Sequence, residues 1–177
     1  MAGHNKWSKI KNKKAVTDAQ KSKVFSKLVK FITIESKKAK GDINSPNLRN
    51  AIIKAKSENV PNDNIERAIK KGVGGEGDNM EQITYESYGP GGCALMIEAL
   101  TSNRNKASQE IKHILSKNGF ELATPGSASW AFTKNMESGW TPNTYVSISD
   151  EDSEKLNSLI EELENNEEVQ EVFCNAT

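Results

Sequence analysis

The chain reads as an α+β protein, a basic N-terminal three-helix module followed by an antiparallel sandwich. Three observations predict this. Apolar residues recur at helical spacing up to Gly72 and change period after it. A glycine-rich stretch, GVGGEGDN over 72–79, separates the two patterns. Charge divides at the same place: residues 1–72 hold 18 Lys and Arg against 6 Asp and Glu, and residues 73–177 hold 6 against 18. The formal net charge of zero thus sums two unlike halves.

The first helix is expected from Thr17 to Lys40, with Thr17 and Gln20 as a capping box and Gly41 as terminator. Val24, Phe25, Leu28, Phe31 and Ile32 form its apolar stripe. The second has Ser45 as N-cap and Pro46 in its first turn, with Leu48, Ala51, Ile52 and Ala55 inward. The third follows Pro61, with Asp63 and Glu66 as a second capping box and Ile65, Ala68 and Ile69 inward before Gly72. Each opposite face is cationic. Residues 73–82 read as a linker: Gly72, Gly74 and Gly77 match GxGxxG formally, but they follow a helix where a dinucleotide loop follows a strand.

Beyond the linker, Ile83–Tyr88 reads as a short strand, GPGG (89–92) as a turn and Cys93–Thr101 as an apolar strand. A helix over Lys106–Asn118 follows, ended by Gly119. Ser127–Thr133 alternates Ala128, Trp130 and Phe132 inward; KNMESGWTPN turns the chain into a strand at Tyr145–Ser149. Asp150–Glu164 is a helix and Val169–Cys174 the closing strand. From Cys93 the order is βαββαβ, a ferredoxin-like sandwich over 83–177 with both helices on one face. Its last strand would lie antiparallel beside its first, bringing Cys174 near Cys93.

No catalytic constellation emerges. His4 and His113 have no reason to meet, the two cysteines lack metal-ligand spacing, and Asp150, Glu151 and Asp152 suit the first turn of a helix. The sequence therefore points to no enzyme, metal or cofactor. No apolar run approaches the length of a membrane span, and mean hydropathy is −0.68. The opening has neither the apolar core of a secretion signal nor the arginines of a transit peptide, so a reduced, cytoplasmic location is expected.

A binding reading fits better. MAGHNKWSKIKNKKA carries five lysines and no acid, and cannot bury enough apolar surface to fold alone. Such a segment neutralises phosphates and releases counterions. Trp7 either stacks on an unpaired base or packs back beside Ile10. The candidate nucleic-acid contacts are His4, Lys6, Trp7, Lys9, Lys11, Lys13 and Lys14 in the arm. Lys21, Lys23, Lys27, Arg67, Lys70 and Lys71 complete the set on the helices. The acidic sandwich would repel nonspecific nucleic acid or contact a protein partner.

Four stretches carry a specific resemblance: MAGHNKWSKIKNKKAVTDAQKSKVF, LRNAIIKAKSENVPNDNIERAIKKG, YESYGPGGCALMIEALTSNRNKAS and SKNGFELATPGSASWAF. Together they resemble the YebC/PmpR family over about the first 133 residues, and the tail resembles the family's ending. The resemblance implies a helical N-terminal module, α+β domains, no catalysis and a role in gene expression. That role is DNA-binding transcriptional regulation or assistance to the ribosome on difficult stretches. His4, Lys6, Trp7, Lys9, Lys11, Lys13 and Lys14 match the signature, whereas Asn5 replaces a common Ser, and Lys21-Ser22 a common Arg-Gly pair. It also implies a deletion, since members carry a further α/β domain between the Trp130–Phe132 strand and Trp140. No helix shows the Asn/Gln/Arg cluster of a base-reading element, so a ribosome- or rRNA-engaging translation factor is favoured over a DNA-binding regulator.

Overall fold

The computed structural model describes residues 18–75, 79–135 and 139–177. Among them the chain divides into two compact units: a helical one running to Glu81 with Leu100–Asn103, and a second of Gln82–Ala99 and Arg104–Thr177.

The helical unit contains α1 (Asp18–Ala39), α2 (Pro46–Ser57) and α3 (Asn62–Val73). Leu28 and Ile32 of α1 pack with Leu48, Ala51 and Ala55 of α2 and Ile65 and Ala68 of α3 around Val60. Gly41 ends α1 as expected, with φ of 81° and its N–H donating to the Ser36 carbonyl at 2.9 Å. The expected caps fare differently. Ser45 is the N-cap of α2 but makes no side-chain cap bond, and Pro61 is the N-cap of α3. Asp63 and Glu66 therefore lie inside α3 and form no capping box. Thr17, the expected cap of α1, lies outside the described residues.

Gly72 does not stop α3. The helix continues to Val73, and β1 opens at Glu81, so Val73, Glu81 and Gln82 belong to regular elements rather than to a linker. Gly72 sits instead where α3 crosses α1. A Cβ there would lie 2.5 Å from the Thr33 carbonyl oxygen and 2.7 Å from Ser36 Cβ. The same close approach lets the buried Ser36 hydroxyl donate to the Ile69 carbonyl at 2.8 Å.

The second unit is built on a four-stranded sheet of order β3-β1-β2-β6, from β1 (Glu81–Tyr88), β2 (Ala94–Thr101), β3 (Leu122–Ala123) and β6 (Val169–Cys174). The α+β class stands, and β2 pairs antiparallel with β6, Leu95 opposite Cys174. The two remaining strands are not those of the expected ferredoxin-like order. β1 takes the place foreseen for Tyr145–Ser149, and β3 takes that of Ser127–Thr133. The tight Pro90–Gly92 turn, with Gly91 and Gly92 at φ of 68° and 77°, makes the β1–β2 hairpin a local pairing. Tyr145–Ser149 alternates polar residues and makes one bridge, Val146 with Ala176.

Helices α4 (Arg104–Lys117) and α5 (Asp150–Asn165) cover one sheet face, as expected, burying Ile111, Leu115, Leu156, Leu159 and Leu163 against Leu95, Ile97 and Val172. Within β6, Val172 pairs with Ile97 and Val169 with Ala99, so Gln170 is an extra residue. That bulge turns Val169 onto the helix-covered face despite its odd spacing from Val172. Cys93 and Cys174 are both buried in this core, and burial, reinforced by Cys174, pushes the Cys93 thiol up to about 12. The folded state thus keeps Cys93 protonated where an unfolded chain would ionise it. Stability conferred by that neutral thiol is present below the ordinary thiol range and is lost as pH rises from that range towards about 12. Iodoacetamide at pH near 8 is expected to leave Cys93 unmodified until the chain unfolds, a result that mass spectrometry reads directly.

The other sheet face is covered by the segment around a 3₁₀ turn (Ser129–Ala131) and a separate hairpin of β4 (Phe132–Asn135) and β5 (Gly139–Pro142). Ala128, Ala131, Phe132 and Trp140 pack there on Ala94, Met96 and Phe173. The expected alternation therefore fails at Trp130, which points outward while Ala131 is buried. Gly139, at φ of 72°, seats the hairpin: a Cβ there would meet the Phe173 ring at 2.6 Å.

Two buried carboxylates fasten this layer to the sheet. Glu98 accepts from Thr84 Oγ1 at 2.7 Å and from Trp140 Nε1 at 2.5 Å, with Lys134 Nζ 3.8 Å away. Glu86 accepts the backbone N–H groups of Gly126, Ala128 and Ser129 at 2.7, 2.7 and 2.9 Å. Burial alone would push the Glu86 carboxyl up, but the three donors outweigh it and hold it below the ordinary carboxylate range. The stability this carboxylate supplies is present above the ordinary range and is lost as pH falls through its lowered value. Glu86→Gln is expected to lower the melting temperature at pH 7 and to flatten the acid limb of a pH–stability curve.

Candidate nucleic-acid interface

The helical unit presents its charge on the faces turned away from its core. Residues 18–75 hold thirteen Lys and Arg against six Asp and Glu. Lys23, Lys27 and Lys30 recur at four- and three-residue intervals on α1, opposite the buried Ile32. Lys21 and Lys23 are exposed and Lys27 is half-buried; Lys21 stands two turns from Leu28, on the side away from Lys23. The structure thus joins Lys23 and Lys27 on one face but not Lys21.

On α3, Arg67, Lys70 and Lys71 are exposed. Arg67 is not a free fork: its Nε donates to the Asp63 carbonyl at 3.2 Å and its Nη2 to Asn64 Oδ1 at 2.9 Å. Its remaining donors are held in a fixed direction along its own helix. Lys70 and Lys71 lie in the last turn of α3, where cations also offset the helix dipole. His4, Lys6, Trp7, Lys9, Lys11, Lys13 and Lys14 lie outside the described residues.

Helix α2, foreseen as a helix, adds exposed cations that are not among the candidate contacts expected from the sequence. Arg49, Ile53 and Lys56 recur at i, i+4 and i+7 and are exposed, with Asn50 and Lys54 beside them. Ile53 is 56% exposed, an apolar residue set among cations. The signal was present: Ile53 falls off the Leu48–Ala51–Ala55 stripe, which a purely structural helix would fill with a polar residue. Chemically the three helices offer separated point charges, the guanidiniums of Arg49 and Arg67, and exposed apolar side chains such as Ile53. They suit phosphates and sugar or base surfaces more than a small-molecule pocket.

The second unit contrasts. Its α5 opens with Asp150, Glu151 and Asp152 in the first turn, capped by Ser149 accepting from the Asp152 N–H at 3.1 Å. Among the described residues no group of three or more His, Cys, Asp or Glu is placed to hold a metal. Among them, too, no helix is long and apolar enough to cross a membrane.

Comparison with known proteins agrees with this division. Residues 5–75 match the family model described as the TACO1/YebC protein N-terminal domain. Residues 80–137 and 133–176 match the TACO1/YebC second and third domain, and the two stretches meet, overlapping over 133–137, at the β4–β5 hairpin. The chain is 54% identical over 136 residues to a probable transcriptional regulatory protein of Desulfosudis oleivorans, covering 76% of this chain and 55% of the relative. It thus spans about half the length of that relative. A protein of the same name from Desulforamulus reducens is 37% identical over 238 aligned positions, 99% of this chain and 98% of the relative. That alignment exceeds the 177 residues of this chain, so the relative carries residues that are missing here. The crystal structure of a conserved hypothetical protein, Aq1575, from Aquifex aeolicus superposes with a TM-score of 0.82 at 30% identity, covering 90% of this chain and 91% of that one. With both family models matched and the fold shared, the chain is a short member of the TACO1/YebC family.

Proposed function

We propose that this protein is a non-enzymatic, cytoplasmic regulator of gene expression that engages the ribosome through rRNA phosphates, using its helical unit and the basic arm before it. The observation that carries the reading is charge segregation. Eighteen Lys and Arg against six acids fall in residues 1–72, and the helices display theirs on exposed faces. Scattered exposed cations favour a surface of phosphates over a single small ligand. RNA is favoured because bases and backbone there are presented irregularly, which suits many lysines spread along a sequence rather than one shaped reading element. The acidic second unit repels nucleic acid and is available to protein partners.

A second reading, a DNA-binding transcriptional regulator, is supported by α2. Contrary to the expectation that no helix carries a base-reading cluster, its exposed Arg49, Asn50 and Ile53 are residue types that read guanine, adenine and thymine methyl groups in a major groove. The relatives' names as probable transcriptional regulatory proteins also favour it. Fluorescence anisotropy with a structured rRNA fragment and a duplex DNA of equal length, over a salt series, separates the two. The expected result is tighter RNA binding with a steep negative salt slope. Tighter binding to duplex DNA with base-sequence preference would overturn the ribosomal reading.

A further inference from the structure

Trp130 and Tyr88 form an aromatic pair on the hairpin-covered side of the sheet that the proposed nucleic-acid function leaves unused. Trp130 is 63% exposed and Tyr88 37%. Their polar atoms are already engaged: the indole Nε1–H donates to Tyr88 Oη at 3.1 Å, and the Tyr88 hydroxyl donates to the Ser127 carbonyl. What remains toward solvent is apolar ring surface. The pair is also held firmly. Glu86, two residues before Tyr88 on the same side of β1, anchors Gly126, Ala128 and Ser129 from below, and Trp130 follows directly.

Charge around the pair selects the occupant. Continuing the β1–β3 register, Glu86 opposite Ala123 and Ser87 opposite Leu122, by one residue sets Glu121 beside Tyr88. Leu122 packs into the helix-covered core, so alternation turns the exposed Glu121 to the aromatic side. Residues 73–177 as a whole hold 18 acids against 6 bases. A nucleobase could stack on Trp130, but its phosphates would enter this acidic field, and the spent indole donor leaves no N–H to hold a base edge. A planar guanidinium meets neither difficulty. It is attracted to the negative face of the indole and to the Glu121 carboxylate together.

We infer that Trp130, Tyr88 and Glu121 form a docking site for an arginine side chain presented by a basic segment of a protein partner. This rests on the reading of the acidic unit as the side that faces proteins. The test uses the full chain, with affinity measured by isothermal titration calorimetry in every variant and the indole N–H resonance of Trp130 followed by NMR in those that keep it. Three probes are titrated: a Gly-Arg-Gly-Arg-Gly peptide, a Gly-Ser peptide of equal length and a hexauridylate. The arginine peptide is expected to shift Trp130, with affinity falling at least about fivefold in Trp130→Ala and about threefold in Glu121→Gln. The other two probes are expected to leave Trp130 unmoved. Hexauridylate shifting Trp130 would overturn the proposal and make the pair a base platform. Equal peptide affinity in the wild type and Trp130→Ala would also overturn it, as general attraction to an acidic surface. Because Trp130 is mostly exposed, Trp130→Ala is expected to fold; should its melting temperature fall, Trp130→Arg provides the same loss with added repulsion. Hexauridylate binding to the helical unit, read on resonances of α1 and α2, reports independently on the nucleic-acid reading.

Discussion

Gly72→Ala is expected to be the most destabilising single-methyl change in the helical unit. The new Cβ would lie 2.5 Å from the Thr33 carbonyl oxygen, 2.7 Å from Ser36 Cβ and 2.9 Å from the Lys37 nitrogen. Two of these are backbone atoms of α1, which cannot step aside as the end of a flexible side chain can. Replacing a mid-helix glycine by alanine ordinarily gains about 1 kcal/mol of helix propensity. Overpacking typically costs about 1–3 kcal/mol and sometimes more, and here the whole helix pair must separate. Separation also stretches the buried bond from Ser36 Oγ to the Ile69 carbonyl, now 2.8 Å. A net loss of about 2 kcal/mol is therefore expected, seen as a lower melting temperature by circular dichroism. Lys70→Ala, exposed on the same helix, should change little. An unchanged melting temperature in Gly72→Ala would show that α1 and α3 do not cross this closely.

The second large effect concerns α2. Changing Arg49, Lys54 and Lys56 together to Gln is expected to weaken RNA binding by one to two orders of magnitude at low salt. If all three meet phosphates, the slope of log affinity against log salt should shrink by about 2, since each contact contributes about 0.7 on single strands. Melting temperature should hardly move, because all three side chains are exposed and only Lys54 and Lys56 also offset a helix dipole. Loss of affinity with an unchanged slope would instead mean that the face acts by shape.

Much of this was legible in the sequence, for identifiable reasons. The helices of both units follow strong 3.6-residue periodicity, and α5 and β6 begin at the residues where pattern and capping place them. The pairing of the first and last strands of the sandwich also followed, because topology leaves them little choice. The errors lie where local chemistry was ambiguous. Gly72 resembles a helix terminator, yet it serves a helix crossing, and only a partner helix distinguishes the two. Alternation with Ala128 and Phe132 points Trp130 inward, but a 3₁₀ turn at Ser129–Ala131 breaks the period and exposes it. The pattern of Ile83–Tyr88 predicts a strand, as found, but not its place inside the main sheet. Hydrophobic pattern alone does not say that a GPGG hairpin outcompetes the more distant Tyr145–Ser149. The β4–β5 hairpin covers sheet surface where the two matched family segments meet, and Gly139 and Trp140 fit it there.

The most direct test of the ribosomal proposal is sedimentation of tagged protein from lysate through sucrose gradients at low and moderate salt. Wild type is compared with the Arg49, Lys54, Lys56 triple variant and with Lys9, Lys11, Lys13 and Lys14 changed together to Gln. The account predicts comigration of wild type with ribosomes that survives moderate salt and is lost in both variants. Wild-type protein left at the top of the gradient, or comigration indifferent to these cations, would contradict it.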